Sequence, residues 1–225
     1  MRPPIRKRKK NISKEELQYV VSHFDAETVE LMHINEIEYD IPAADKLEND
    51  IEGQFKEING KPLELYNKLL SYTDKFNIIL KKYSPCKKGC ANCCTIPVAI
   101  SNLEKNKIKK YLEDTKEMEK YIYFKKPKEP EFFDGLWGGK YSGSSCPFLI
   151  NNECSIYLVR PYKCRRHIIF DDDNSLCGSL SDGRNKGYMH IYSEIIYEKI
   201  ISYYNEKKKL NDHKVYDIRD FFQKI

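Results

Sequence analysis

The sequence predicts a helix-dominated α+β fold, with small strand and hairpin elements around a cysteine-rich centre and long helices packed about it. Three observations predict it. Apolar residues recur at helical spacing in separated stretches, as in Leu65, Leu69, Tyr72, Phe76. Short segments with turn signals, too brief for helices, lie between cysteines. All eight cysteines of the 225-residue chain fall between Cys86 and Cys177.

Taken in order, residues 1–12 read as a basic tail, solvated and disordered. Ser13 to about Ile34 reads as a helix, opened by the capping-box pair Ser13 and Glu16 and carrying Leu17, Val20, Val21 and Phe24 on one face. Residues 35–60 are acidic and interrupted by Pro42, Gly53 and Gly60, which predicts a linker. Pro62 to Lys82 is a second helix. Thr95–Ile100 reads as a short strand that Pro97 confines to an edge or a bulge. Ser101 and Glu104 form another capping box, and the helix they open is expected to run to about Tyr123 with Leu103, Tyr111, Leu112 and Met118 inward. Lys125–Glu131 and the Gly- and Ser-rich stretch Gly135–Ser145 around Trp137 read as loops. Asn151-Asn152 is a two-residue hairpin turn between Phe148–Ile150 and Cys154–Tyr157. Arg160-Pro161 ends that element, and Asp171–Gly187 is polar loop. A long helix over 188–209 carries Ile191, Ile195, Ile196 and Ile200, and a last helical turn is expected near Asp220–Gln223. The predicted division is therefore a tail (1–12), a helical extension with linker (13–60) and a cysteine domain (61–225).

Charge adds little. The net +5 hides a tail in which residues 1–10 hold six positive charges and no acid, so the other 215 residues sum to −1. No general polyanion-binding body follows. A nucleic-acid or membrane-surface contact by residues 2–10 is the alternative to a merely solvated tail. No apolar run approaches the ~18 residues of a membrane-spanning helix. Nor does the N-terminus hold the apolar core, about 7–15 residues long, of a secretory signal. A cytoplasmic location is the expectation. There, grouped cysteines point to metal or redox chemistry before disulfides.

The first group reads Cys86-Lys-Lys-Gly-Cys90-Ala-Asn-Cys93-Cys94. On a helix opened by Ser84 and Pro85, these four positions would fall within an arc of about 100°. Cys86 and Cys94 would then stand about 12 Å apart along the axis, too far for one ion whose sulfur bonds are about 2.3 Å long. Either Gly89 breaks the segment into a loop and a turn, or only a subset binds. The second group supplies further donors: Cys146, Cys154, Cys164 and Cys177. Thiolates select zinc, copper(I) or iron–sulfur clusters. Arg160, Arg165 and Arg166 crowd these cysteines. Arg165, Arg166 and His167 are the candidate cofactor-binding residues, His167 as a non-sulfur ligand or proton carrier; its bland alternative is a partly exposed histidine at a strand start.

Together these motifs resemble the YkgJ-like cysteine-cluster family, described as zinc- or iron-chelating and named for a CxxCxxCC-type pattern. Cys86-x3-Cys90-x2-Cys93-Cys94 is similar to its first signature. Cys146-Pro-Phe-Leu149, Cys154-x-Ile-Tyr157, Arg160-Pro161 and Cys164-Arg165 are similar to its second. The likeness spans about residues 84–178. It implies metal binding by the eight cysteines without defining a reaction. One branch, the flagellin lysine N-methylases, transfers a methyl group and holds an iron–sulfur cluster. This chain is short for that branch and has no glycine-rich strand-to-helix turn for a methyl donor. An oxidoreductase or methyltransferase-like activity is thus implied by resemblance only.

Three readings follow. The first is a cluster protein, of the 4Fe–4S type, for redox or group-transfer chemistry on an unidentified substrate. The second is a structural zinc module whose helices and tail meet a protein or nucleic acid. The third is a set of buried cysteines without metal. Only Cys90–Cys93 has a zinc-knuckle CxxC spacing, and the adjacent Cys94 is awkward for a simple tetrahedral site. Both points favour a cluster or polynuclear site, with one zinc and one iron–sulfur centre as a mixed form. No HExxH, P-loop, GxSxG or GxGxxG pattern is present. Asp171-Asp172-Asp173 reads as an acidic turn before it reads as carboxylate ligands.

Overall fold

The computed structural model describes residues 42–87, 89–127, 141, 143–168, 191–210 and 216–225, together with the strands Arg6–Lys9 and Ile37–Asp40. The architecture is helix-dominated α+β, with strands paired two by two. The expected helix over 13–34, the loop around Trp137, the acidic turn Asp171–Asp173 and Cys177 lie outside the described residues.

Two N-terminal expectations are corrected. Part of the basic tail is a strand, β1 (Arg6–Lys9), paired antiparallel with β2 (Ile37–Asp40) in a register that sets Arg6 opposite Asp40 and Arg8 opposite Glu38. The linker contains helix α1 (Pro42–Gln54). Proline is favourable in the first turn of a helix, where its missing N–H has no partner to lose. Ala44, Ile51 and Phe55 then recur on one buried face.

Helix α2 (Pro62–Leu80) again starts at a proline. It buries Tyr66, Leu69, Tyr72, Phe76 and Leu80, while Leu65 and Ile79 are partly covered. Helix α1 and the long helix α5 (Ile191–Lys207) pack on it, and Ile196, Tyr197, Ile200 and Ile201 complete a first core.

The second core belongs to small elements. Strand β3 is only Ala99–Ile100, preceded by a 3₁₀ turn at Asn92–Thr95. Helix α3 (Asn102–Asp114) opens with the predicted capping box: Ser101 Oγ accepts from the Glu104 amide and Glu104 Oε2 accepts from the Ser101 amide. The helix stops nine residues before the predicted end at Tyr123. Lys116 adopts a left-handed φ of 58°, the Lys116 amide donates to Glu113 O and the Glu117 amide to Leu112 O. That is a Schellman cap with lysine where glycine is usual. Tyr121–Tyr123 is then a strand, β4.

Strands β5 (Leu149–Ile150) and β6 (Glu153–Cys154) form the predicted hairpin, with Asn151 at φ 51° and Asn152 at φ 61°. Two positive φ values are what an Asn-Asn turn of the primed type needs. Pro161 starts a short helix, α4 (Tyr162–Arg166), that the sequence reading missed. The C-terminal expectation of a helical turn is also corrected. Residues 216–224 run as β7 (Tyr216–Asp217), a 3₁₀ turn at Ile218–Asp220, and β8 (Phe222–Lys224). Strand β7 pairs with β3 and β8 with β4. Phe148 and Phe222, with ring centroids 5.2 Å apart, join hairpin and C-terminal segment in the second core.

Four cysteines pack against the two cores. Cys86 packs on the first, and Cys146, Cys154 and Cys164 on the second.

Candidate metal centre

Cys86–Cys94 is not one helix. Gly89 sits at φ +81°, a conformation L-residues rarely adopt, the Cys90 amide closes a turn onto Lys87 O, and Cys93 and Cys94 lie in a 3₁₀ turn. Ser84 does not cap a helix; its hydroxyl accepts from the Cys86 amide. Of the two alternatives, the loop and turn are what forms, so the cysteines are released from a single helical face.

The second group is docked onto the first through the backbone. The Cys146 amide donates to Cys94 O at 2.8 Å, and the Gly143 amide to Thr95 O at 3.1 Å. Cys146 stands before β5, Cys154 ends β6 and Cys164 lies mid-way along α4. Seven thiols, those of Cys86, Cys90, Cys93, Cys94, Cys146, Cys154 and Cys164, are partly buried.

Their electrostatics show how close the two groups come. Cys93 is held far above its ordinary thiol pKa, first by its hydrogen bond with Cys94, then by burial, then by the charges of Cys94 and Cys86. Burial raises Cys164 strongly, and the charges of Cys146, Cys93 and Cys154 add to it. Burial likewise raises Cys154, with Cys93 contributing, and pushes Cys146 up to about 12. Cys93 therefore senses its own segment and is sensed by the second. Among the described residues, no three Cys, His, Asp or Glu donors stand at the spacing of one ion's ligands.

Arg160 lies beside the thiols of the second group. Arg160 opposes the rise at Cys154 and Cys164, its guanidinium lies 4.1 Å over the Tyr157 ring, and its buried Nε has no hydrogen-bond partner among the described residues. His167 is partly exposed, as its bland alternative has it, but it follows a helix and does not begin a described strand. It caps the C-terminus of α4, its Nε2 is buried without a hydrogen-bond partner among the described residues, and burial followed by the Arg166 charge lowers its pKa to about 4. It is a neutral imidazole with a nitrogen to spare.

Arg165 and Arg166 make ion pairs that join helices, and the Arg165 charge also opposes the rise at Cys154. Arg165 Nη1 donates to both carboxylate oxygens of Asp74 (2.7 and 2.6 Å), Nη2 to Leu158 O and Nε to Arg160 O. It fastens α4 to α2, and Asn77 Nδ2 reinforces it by donating to Arg165 O at 2.7 Å. Arg166 Nε lies 3.0 Å from Glu194 Oε2, and Lys163 pairs with Glu194 Oε1, which ties α4 to α5.

Sequence reasoning missed two residues that hold this region. Glu104 is fully buried and accepts from Tyr66 Oη (2.8 Å), Tyr197 Oη (2.7 Å), the Tyr162 amide (3.0 Å) and both the amide and hydroxyl of Ser101. Its capping-box position was legible; its second role was not. Arg219, on the C-terminal 3₁₀ turn, reaches carbonyls of both cysteine segments. Its only signal was an Asp-x-Arg-Asp run, which the expected helical turn obscured.

Two docked segments carrying both cysteine signatures decide the comparison with known families. Residues 85–178 match the CxxCxxCC family. Its description is "Putative zinc- or iron-chelating domain". The CxxCxxCC match includes all eight cysteines and ends before α5 and the C-terminal strands. Searches of curated proteins and of solved structures return no match. Among the described residues, no helix is long and apolar enough to cross a membrane.

The donor set fits the group that the CxxCxxCC description implies. Thiols contributed by several elements suit a soft cation. A bound cation reverses the pKa pattern above, because ligating thiols give up their protons.

Proposed function

We propose that the chain chelates a thiophilic metal in a polynuclear thiolate centre built from both cysteine segments, an iron–sulfur cluster of the 4Fe–4S type serving redox or group-transfer chemistry. The observation that carries this reading is the backbone bond from the Cys146 amide to Cys94 O at 2.8 Å, which docks the second cysteine segment beside the Cys93-Cys94 turn. One tetrahedral ion needs four donors, and the seven described cysteines outnumber them. Cys93, Cys146, Cys154 and Cys164 are the inner ligands. Cys86, Cys90, Cys94 and Cys177 supply the rest, with His167 Nε2 as the nitrogen donor. When bound, such a cluster supplies one-electron chemistry or a site for an anionic group. Arg160 offsets the negative charge of the thiolates beside it.

Structural zinc is the second reading. The packing of Cys146, Cys154 and Cys164 on the second core favours it, since an ion there would fasten hairpin, helix and 3₁₀ turn together. Such an ion contributes folding energy of the order of 10 kcal/mol in small domains.

The test is purification without oxygen, followed by iron, sulfide and zinc analysis and an absorption spectrum. Brown protein with iron and sulfide in equal amounts is expected. Colourless protein with stoichiometric zinc and no iron refutes the cluster in favour of zinc. Cys93→Ser and Cys164→Ser are each expected to lose metal; full retention in both refutes the two-segment centre.

A further inference from the structure

The side chain that touches both cysteine segments comes from outside the family match. Arg219 is 4% exposed and spends its guanidinium on main-chain carbonyls. Nη2 donates to Ser144 O at 2.6 Å, Ile96 O at 3.2 Å and Cys94 O at 3.3 Å, and Nε donates to Ser145 O at 3.4 Å. Cys94 O is the same carbonyl that receives the Cys146 amide. One guanidinium thus fixes the backbone next to Cys93-Cys94 and the two residues before Cys146.

The guanidinium is itself oriented. Nη1 donates to both carboxylate oxygens of Asp217 at 3.0 Å, and Asp217 accepts from the Arg219 amide (2.9 Å) and the Val98 amide (2.7 Å). The Tyr141 ring lies 5.6 Å from the guanidinium carbon, and Tyr141 Oη donates to Asp220 Oδ1 at 2.9 Å. Asp217 cancels the charge of Arg219, so the pair brings geometry without net charge. Buried groups that orient metal-bearing residues typically change metal affinity about 10–100-fold when altered.

We infer that Asp217 and Arg219 form the positioning element of the thiolate centre, setting the separation of the Cys93-Cys94 turn from Cys146. The inference rests on the proposed metal-binding function and adds a segment the family match does not cover. A planar fork that reaches four carbonyls and a carboxylate has no lysine equivalent.

The experiment titrates cobalt(II) into the reduced, metal-free full chain and follows its thiolate charge-transfer and ligand-field bands. Wild type is compared with Arg219→Lys, Arg219→Gln, Asp217→Asn and the core control Ile108→Val. Both Arg219 variants are expected to bind cobalt at least about tenfold more weakly, with altered ligand-field bands. Asp217→Asn is expected to fall between them and wild type, and Ile108→Val to keep wild-type affinity and bands despite its lower stability. Full recovery in Arg219→Lys overturns the inference, because charge alone then suffices. Wild-type affinity and bands in all the Arg219 and Asp217 variants overturn it too. So does failure of these variants to fold with cobalt present, which makes the pair a requirement of the fold. No cobalt binding by wild type, with no metal in the protein as purified, overturns the proposed function along with it.

Discussion

Removing the Glu104 carboxylate tests the centre of the helical packing. Glu104 is 1% exposed, and every contact it makes is with a donor: two phenols, two backbone amides and a hydroxyl. Hydrogen bonds to a charged group each contribute about 1.5–3 kcal/mol, and an orphaned buried donor costs about 1–3 kcal/mol. Glu104→Ala strips all five bonds and leaves the buried Ser101 amide without its acceptor, while the Tyr162 amide keeps only Tyr66 Oη at 3.2 Å. The cost is about 3–5 kcal/mol, the range for breaking one side of a buried polar network. Glu104→Gln keeps the volume and one acceptor. Its amide can face Tyr66, whose hydroxyl then reverses and still receives the Tyr162 amide at 3.2 Å. That variant is expected to lose about 1–3 kcal/mol. Urea unfolding of the metal-free, reduced chain followed by circular dichroism measures both. A loss below about 0.5 kcal/mol for Glu104→Ala, the usual size of a surface change, refutes the hub. So does Glu104→Gln falling below Glu104→Ala in stability.

Tyr197 carries a pH dependence. Burial, and then the Glu104 charge, raises its phenol, so the native state keeps a proton that the unfolded chain has already released. The stability it contributes is complete below its ordinary pKa near 10 and falls as pH rises, by up to about 1.4 kcal/mol per unit. The stability difference between wild type and Tyr197→Phe is therefore expected to be constant to about pH 10 and to shrink above it. A difference independent of pH to 12, about two units beyond the ordinary phenol value, counts against the buried pair. At Lys116, the left-handed backbone costs an L-residue about 1–2 kcal/mol, while glycine adds about 0.4–1 kcal/mol of unfolded-state entropy. Lys116→Gly is expected to raise stability by about 0.5 kcal/mol, roughly 1–2 °C in melting temperature. A lowered melting temperature contradicts the Schellman geometry.

What the sequence revealed, and what it hid, follows from how local each signal is. The Asn151-Asn152 hairpin and the Ser101–Glu104 box were legible because each is decided within four residues. Pro42 was misread because proline both breaks helices and begins them, and only the buried spacing of Ala44, Ile51 and Phe55 separates the two. The end of α3 was hidden because lysine occupies the position that normally announces itself as glycine. Strands β7 and β8 escaped because two- and three-residue strands have no periodicity of their own; their partners lie about a hundred residues away. The cysteines told which residues gather, and the resemblance told what kind of group they suit. Neither pointed to Arg219, whose long-range partners are main-chain carbonyls that any residue supplies.

The bonds that Asp217 accepts from the Val98 amide and that Arg219 donates to Ile96 O and Cys94 O close chain intervals of 119 to 125 residues. Contacts of such separation form late, after most local structure. Until they form, the thiols stand on unfinished segments, and any two that meet can oxidise into a cross-link the native arrangement does not contain. Folding in this chain is thus a race between a distant arginine and ambient oxidant, and reductant matters most before the native state exists.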